Sequence, residues 1–163
     1  MREILQAVRA KVGNGYALCC RISADEYVEG GLTLEESKEI ARILADSGAD
    51  IISVSAGIGA DRFSPSKDVS RRCYAHLARG IKESVAVPVI GVGNILDLTD
   101  AEKIVQDGDA DMAAMGRALI ADPSLVAKTA MGKTDEIHGC IQCRNCLSSL
   151  VKSTMSCTVN KNL

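Results

Sequence analysis

Cys140, Cys143, Cys146 and Cys157 stand close together in the last quarter of the chain, as C-I-Q-C-R-N-C, a ten-residue gap and a final cysteine. Two consecutive C-x-x-C steps place three thiols on one tight loop, and the fourth arrives from beyond a short helix. Thiolates so spaced suit a metal centre with all-sulfur ligation. Disulfides are the weaker reading: nothing at the N-terminus reads as a secretory signal, so a cytoplasmic, reducing compartment is expected. Zinc and an iron–sulfur cluster both accept four thiolates, and the spacing leaves the metal open.

A second set of chemical groups consists of Arg21 and two glycine-rich turns, Gly93-Asn94 and Gly116-Arg117. Each turn leads from an apolar run into a helical pattern. Backbone N–H groups exposed at such turns bind phosphate, because a helix start offers unpaired donors and the positive end of the dipole. A single glycine turn is weak evidence and reads equally well as a plain strand exit. Two in tandem, the second followed by an arginine, favour phosphate. Arg21 ends an apolar strand; it either pairs with Asp25 or Glu26 or stabilises negative charge on a bound cofactor ring, and the second reading is preferred. His76 reads as a surface or packing residue. His138 lies two residues before the cysteines, where four sulfurs already complete a ligand set. No nucleophilic Ser/His/Asp or Cys/His arrangement is evident.

The elements that carry these groups alternate with little between them. Residues 2–12 read as a helix, with Ile4, Leu5, Val8 and Val12 at helical spacing. Strands are expected at 16–22, 50–55, 87–92 and 111–115. Thr33-Leu34-Glu35-Glu36 is a capping box opening a helix that runs to Ser47 and stops at Gly48, with Ile40, Ile43 and Leu44 facing inward. After a loop containing Gly57, Gly59 and Pro65, a helix is expected near 67–84. A second capping box, Thr99-Asp100-Ala101-Glu102, opens a helix over 99–107, and Asp122-Pro123 caps a last one to about Met131. Cys19, Cys20 and Cys73 are expected as buried small hydrophobes.

Four βα units in 163 residues predict a parallel sheet. They amount to half of a (β/α)8 barrel, which needs about 250 residues. The chain opens in a helix with no strand before it, so the expectation is the C-terminal half of a TIM barrel, either a fragment or a half that pairs with another. A barrel's functional groups collect at the C-terminal strand ends, and its usual phosphate site follows strands seven and eight. In a C-terminal half those loops are Gly93-Asn94 and Gly116-Arg117.

Composition agrees. Hydrophobic residues make up 47% and charged residues 25%, values of an ordinary globular protein, and a net charge of −2 argues against a nucleic-acid or membrane surface. With one Phe, three Tyr and no Trp, the core must be aliphatic, as buried parallel strands require. No apolar run approaches the ~20 residues that span a bilayer.

Together these residues resemble the iron–sulfur flavoenzyme branch of the old yellow enzyme superfamily, which holds the NADH:flavin oxidoreductases and the bacterial 2,4-dienoyl-CoA reductases. The matching stretches are R-I-S at 21–23, G-L-T-L-E-E at 31–36, S-G-A-D-I-I-S-V-S-A-G-I-G at 47–59 and D-A-D-M-A-A-M-G-R-A-L-I-A-D-P at 109–123. The cysteine run and S-C-T-V-N at 156–160 complete it. The resemblance implies FMN at the top of the barrel, with Arg21 near the edge of the flavin ring and Gly93, Asn94, Gly116 and Arg117 at its phosphate. It implies a [4Fe–4S] cluster on Cys140, Cys143, Cys146 and Cys157 that exchanges single electrons with the flavin. By the same resemblance residues 1–132 form an FMN-binding half barrel and residues 133–163 a cluster-binding segment. The implied activity is NAD(P)H-linked reduction of an activated alkene or enoyl thioester, or a related flavin redox step, on a small-molecule substrate.

There are departures. The first half of the barrel, with the family's usual tyrosine proton donor, is absent, so the missing half or an oligomeric partner is expected. The dienoyl reductases carry a histidine where this chain reads Ala60-Asp61-Arg62, so their specificity is not carried over. Their second and third cysteines are separated by three residues, where Cys143 and Cys146 are separated by two, which suggests another subgroup. A catalytically incomplete, metal-stabilised half barrel serving as a binding or assembly module is the alternative, and a zinc-bound structural domain a third.

Overall fold

The computed structural model describes residues 1–57, 70–152 and 154–162. Ile58, Gly59, Ala60-Asp61-Arg62, Pro65 and the expected helix start at 67–69 lie outside these. Helix α1 (Arg2–Val12) precedes β1 (Cys19–Ser23), α2 (Leu34–Asp46), β2 (Ile51–Ser55), α3 (Ala75–Lys82), β3 (Val89–Gly91), α4 (Leu98–Gln106) and β4 (Met112–Ala113). Short helices α5 (Arg117–Ala121) and α6 (Leu125–Ala130), a 3-10 turn at Thr134–Glu136 and α7 (Asn145–Lys152) complete the order. Among the described residues no helix is long and apolar enough to cross a membrane.

The strands form one parallel sheet in the order β1-β2-β3-β4, with Arg21 opposite Ser53, Ser53 opposite Ile90 and Ile90 opposite Met112. Alternation along each strand sends Ile22, Ile52, Val54 and Val89 to one face, where they pack with Leu44, Leu77, Ile81 and Ile104 of α2, α3 and α4 in a single core. A doubly wound sheet reverses its strand order and carries helices on both faces. Among the described residues this sheet does neither, and it forms an arc of a (β/α)8 barrel. Its inner face presents Cys19, Arg21 and Met112, all exposed.

Local rules explain most element boundaries. Thr33 and Glu36 form the expected capping box: the Glu36 N–H donates to Thr33 Oγ1 (3.4 Å) and the Thr33 N–H to Glu36 Oε2 (2.9 Å). The Thr33 N–H, and then the Thr33 hydroxyl donating to the same Oε2 at 2.8 Å, hold the Glu36 carboxyl below its ordinary range. Gly48 follows in a left-handed conformation with φ of 98°, as a helix stop demands.

Several expectations need correction. Helix α4 is capped by Asp97, whose carboxylate accepts the Asp100 N–H at 3.0 Å, and not by Thr99. The first strand begins at Cys19, because Tyr16 is exposed and its carbonyl accepts from Arg9 instead of a neighbouring strand. Arg9 also donates to the Gly48 carbonyl and pairs with Asp50, tying α1 to the start of β2. The expected last helix is α6 alone and starts later than Asp122-Pro123, with the separate short helix α5 ending before it. Pro123 forces Asp122 into an extended conformation (φ −142°, ψ 98°), which ends α5, and Ser124 rather than Asp122 precedes α6. Helix α3 starts only at Ala75, leaving Cys73 in a turn. Cys19 is exposed, Cys20 and Cys73 are half-buried, and Ile4, Val8, Val12 and Ile43 are exposed while Leu5 and Leu44 are buried.

Candidate functional site

All five residues expected to bind a cofactor, Arg21, Gly93, Asn94, Gly116 and Arg117, line one cavity of about 330 Å³ at the C-terminal strand ends. Its floor is apolar, from Val92, Ile95, Ala114 and Met115 among others. The seating follows from the fold. Arg21 projects from the inner face of β1, where its guanidinium donates to Ser55 Oγ on β2 at 3.0 Å. Asp25 and Glu26 are engaged elsewhere, with the N–H groups of Tyr27 and Leu32 respectively. Arg117 opens α5 and donates to Asn94 Oδ1 at 2.7 Å, joining the turn after β3 to the turn after β4.

The two turns differ in kind. Gly93 has φ of 118°, and a Cβ there would sit 2.8–2.9 Å from the Tyr74 side chain. Glycine is required for both reasons. Asn94 follows in the left-handed region at φ 53°, where asparagine is among the better-tolerated residues. Gly116 is exposed, and a Cβ built on it would meet nothing within 4 Å. Its bareness leaves the backbone open to the cavity.

Among the described residues neither Arg21 nor Arg117 forms an ion pair, whereas Arg9, Arg42, Arg71, Arg72 and Arg79 all do. Two guanidinium cations held by neutral partners therefore face one cavity. Such a site attracts an anionic or electron-rich ligand.

The cysteine segment is fastened to the same corner of the fold. Asp122 is buried; its carboxylate accepts from Lys128 Nζ (2.6 Å) and from the His138 N–H (2.9 Å). Those two donors, Lys128 first, hold its pKa at about 2. Asn160 donates to the Ile120 carbonyl at 3.1 Å, so both ends of the segment are tied to the α5–α6 corner. Within it, Asn145 donates to the Ser156 carbonyl (3.3 Å) and hydroxyl (3.1 Å). Leu147 of α7 lines the cavity beside the arginines.

The thiols themselves sit in a tight loop. Gln142 and Arg144 alternate with the cysteines in left-handed conformations (φ 56° and 58°), and the Gln142 N–H points at Cys140 Sγ, 3.4 Å away. Cys143 Sγ lies 3.3 Å from Thr158 Oγ1, and that hydroxyl, helped by the Asn145 N–H, holds the Cys143 thiol below its usual pKa. Cys146 is buried; Cys140 and Cys157 are half-buried. Among the described residues no three His, Cys, Asp or Glu side chains converge as a closed cage for a metal ion. His138 is exposed and engages Asp122 through its backbone. His76 is exposed too, with its Nε2 3.5 Å from the Tyr27 hydroxyl. Burial, and then the neighbouring Cys19, push the Cys20 thiol up, as suits an inert packing residue.

Sequence reasoning missed Leu147, Ser55 and the anchoring role of Asp122. The D-P pair signals a helix start, and only the returning chain reveals that the same carboxylate anchors His138.

The model of the NADH:flavin oxidoreductase / NADH oxidase family matches residues 1–136, and the chain belongs to that family. It is 42% identical over 164 residues to the NADH oxidase of Thermoanaerobacter brockii, covering 97% of this chain and 25% of the relative. It is 38% identical to the N,N-dimethylglycine/sarcosine dehydrogenase of Chromohalobacter salexigens, covering 89% of this chain and 22% of that protein. Among solved structures, 2-naphthoyl-CoA reductase in complex with 2-naphthoyl-CoA superposes with a TM-score of 0.88 at 30% identity, over 98% of this chain and 25% of its own. Histamine dehydrogenase from Rhizobium sp. 4-9 superposes at 0.85 and 29%, over 98% and 23%. The chain thus spans about a quarter of the length of these relatives.

Proposed function

We propose that this chain is the cofactor-bearing C-terminal half of a flavin-dependent NAD(P)H oxidoreductase barrel, with FMN in the cavity and a [4Fe–4S] cluster on the four clustered cysteines. The observation that carries the reading is the meeting of Arg21, Gly93, Asn94, Gly116 and Arg117 in one cavity whose cations lack acidic partners among the described residues. The residues fit FMN. Arg117, Asn94 and the bare backbone of Gly116 suit a phosphate, and Arg21 on the inner barrel face suits an electron-rich ring. The cysteines suit a cluster by chemistry and spacing rather than as a closed cage, since among the described residues no three such side chains converge. Cys140, Cys143, Cys146 and Cys157 offer thiolates, the Gln142 N–H and Thr158 hydroxyl favour charge on sulfur, and sulfur-only sets are the usual cluster ligands.

When bound, FMN supplies hydride and single-electron chemistry and the cluster supplies one-electron transfer. The chain's own side chains do the rest. Arg21 would stabilise negative charge at the ring, Arg117 would neutralise the phosphate, and half-exposed Leu147 would form an apolar part of the wall. The substrate class is an activated alkene or enoyl thioester, or an amine undergoing a related flavin redox step; relatives named as reductases and dehydrogenases support this range. The exposed inner face, with Cys19, Arg21 and Met112, supports a requirement for the other barrel half or a partner chain. The same open face favours the second reading, a binding or assembly module without catalysis of its own.

Anaerobic reconstitution with iron, sulfide and FMN tests the proposal. The expected product is brown and yellow, with close to four irons and one flavin per chain. A preparation that takes up neither iron nor flavin refutes it, and one that takes up zinc alone supports the structural-domain alternative. A product that carries both cofactors yet reduces nothing, even with the complementary half added, supports the module reading.

A further inference from the structure

We propose that Asp100, which touches no ligand, is a positioning residue for the anion end of the cavity. By clamping residues 70–74 over the Gly93–Asn94 turn it sets Asn94, and through Asn94 the Arg117 guanidinium, where they grip a phosphate. The inference rests on the reading that FMN phosphate binds there.

The chain of contacts begins at α4. Asp100 is buried, with Oδ2 accepting from Arg71 Nε (2.6 Å) and the Leu96 N–H (3.3 Å), and Oδ1 lying 3.9 Å from Arg72 Nε. Arg71 also pairs with Asp97, and Arg72 donates to Asp107 at 3.1 Å. Two adjacent arginines are thereby pinned to α4 and its cap. Among the described residues Arg72 Nε is buried without a hydrogen-bond partner, so Asp100 compensates it by charge alone.

The other side of residues 70–74 holds the turn. The Ser70 carbonyl accepts from Asn94 Nδ2 (3.1 Å), the Arg72 N–H donates to the Asn94 carbonyl (3.4 Å), and the Tyr74 ring fills the space a Cβ on Gly93 would need. Arg72 and Asn94 are both left-handed, at φ 56° and 53°. Non-glycine residues persist there only where the surroundings over-determine them. The clamp meets that condition for Asn94, whose Oδ1 then receives Arg117 at 2.7 Å. Asp97 is the weaker candidate for this role: it is half-exposed, and its other oxygen is spent on capping α4.

The test is titration of the full chain with FMN and, separately, with riboflavin, which lacks the phosphate. Wild type is expected to prefer FMN. Asp100→Asn is expected to weaken FMN binding about tenfold, the size of one charge-assisted hydrogen bond, and to leave riboflavin unchanged. Arg71→Gln, at a partly exposed residue outside the cavity, is expected to do the same and carries the test if the first variant fails to fold. Equal loss for both ligands would mean general loosening and overturns the proposal, as does full retention of FMN preference in a folded variant. A wild-type chain with no preference for FMN removes the phosphate reading itself, and this inference falls with it.

Discussion

Two glycines of the cavity separate stability from binding. At Gly93 an alanine would have to adopt φ of 118°, and its Cβ would stand 2.8–2.9 Å from three atoms of Tyr74. The backbone conformation costs about 1–3 kcal/mol and the forced shift of a packed ring about 1–3 kcal/mol more. A total of about 3 kcal/mol lowers Tm by roughly 6–12 °C in a chain of this size. At Gly116 φ is −104°, on the side that L-residues adopt, and an added Cβ meets nothing within 4 Å. Gly116→Ala should therefore melt within about 2 °C of wild type, since surface substitutions away from special features cost within about 0.5 kcal/mol. Its methyl would instead occupy space that the cavity offers to a phosphate. The assays are thermal unfolding by circular dichroism and FMN titration on both variants. Gly93→Ala should lose stability first, and Gly116→Ala should lose FMN affinity by tenfold or more with its melting curve unchanged. If Gly116→Ala binds FMN as wild type does, the turn after β4 is a plain strand exit. If it melts as low as Gly93→Ala, the open space assigned to its Cβ is wrong.

Three further outcomes follow from the charged and thiol groups. Arg117→Gln should weaken FMN binding by about 10- to 100-fold, since a hydrogen bond to a charged group is worth about 1.5–3 kcal/mol, and unchanged flavin content after purification contradicts its role. Asp122 has a folded pKa of about 2, below the ~3.9 of an unfolded aspartate, so its contribution is complete at neutral pH and is lost as pH falls from about 4 through 2. Asp122→Asn should flatten that part of the stability–pH curve, and an unaltered acid limb would show that Lys128 and His138 do not depend on the charge. In metal-free protein the lowered Cys143 thiol should alkylate ahead of buried Cys146 at pH 7, read by mass spectrometry of iodoacetamide adducts; the reverse order would contradict the thiolate-favouring role of Thr158.

The parts legible in the sequence are those governed by neighbours. D-I-I-S-V-S and V-P-V-I-G-V read as buried parallel strands because β-branched runs have few other uses, and T-L-E-E reads as a cap because both bonds close within four residues. The cap of α4 shows where local rules stop. Asp97 and Thr99 each offer an oxygen three residues before a helical N–H, and nothing nearby chooses between them. Asp97 also receives Arg71, a residue 26 positions earlier, and that long-range contact favours the aspartate. Leu147 is one apolar residue on a short amphipathic helix, and only the return of α7 to the strand ends makes it a cavity wall. Cys19 follows the apolar pattern of a buried strand, yet it lies on the inner face of the arc, where the described residues place no second layer.

Strand register links the legible and illegible parts. The pairing of Arg21 with Ser53, and of Ser23 with Ser55, puts Arg21 on the inner face with its guanidinium in reach of the Ser55 hydroxyl. A slip of one residue along β1 would turn Arg21 into the aliphatic core with Leu44 and Ile52 and bring Ile22 to the cavity. Burying an unpaired guanidinium there costs several kcal/mol, and exposing Ile22 forfeits its burial as well. The alternation C-R-I-S therefore does two tasks at once. The isoleucine fixes the register against α2, and that register delivers the arginine to the same cavity as Arg117, which reaches it from a different strand end.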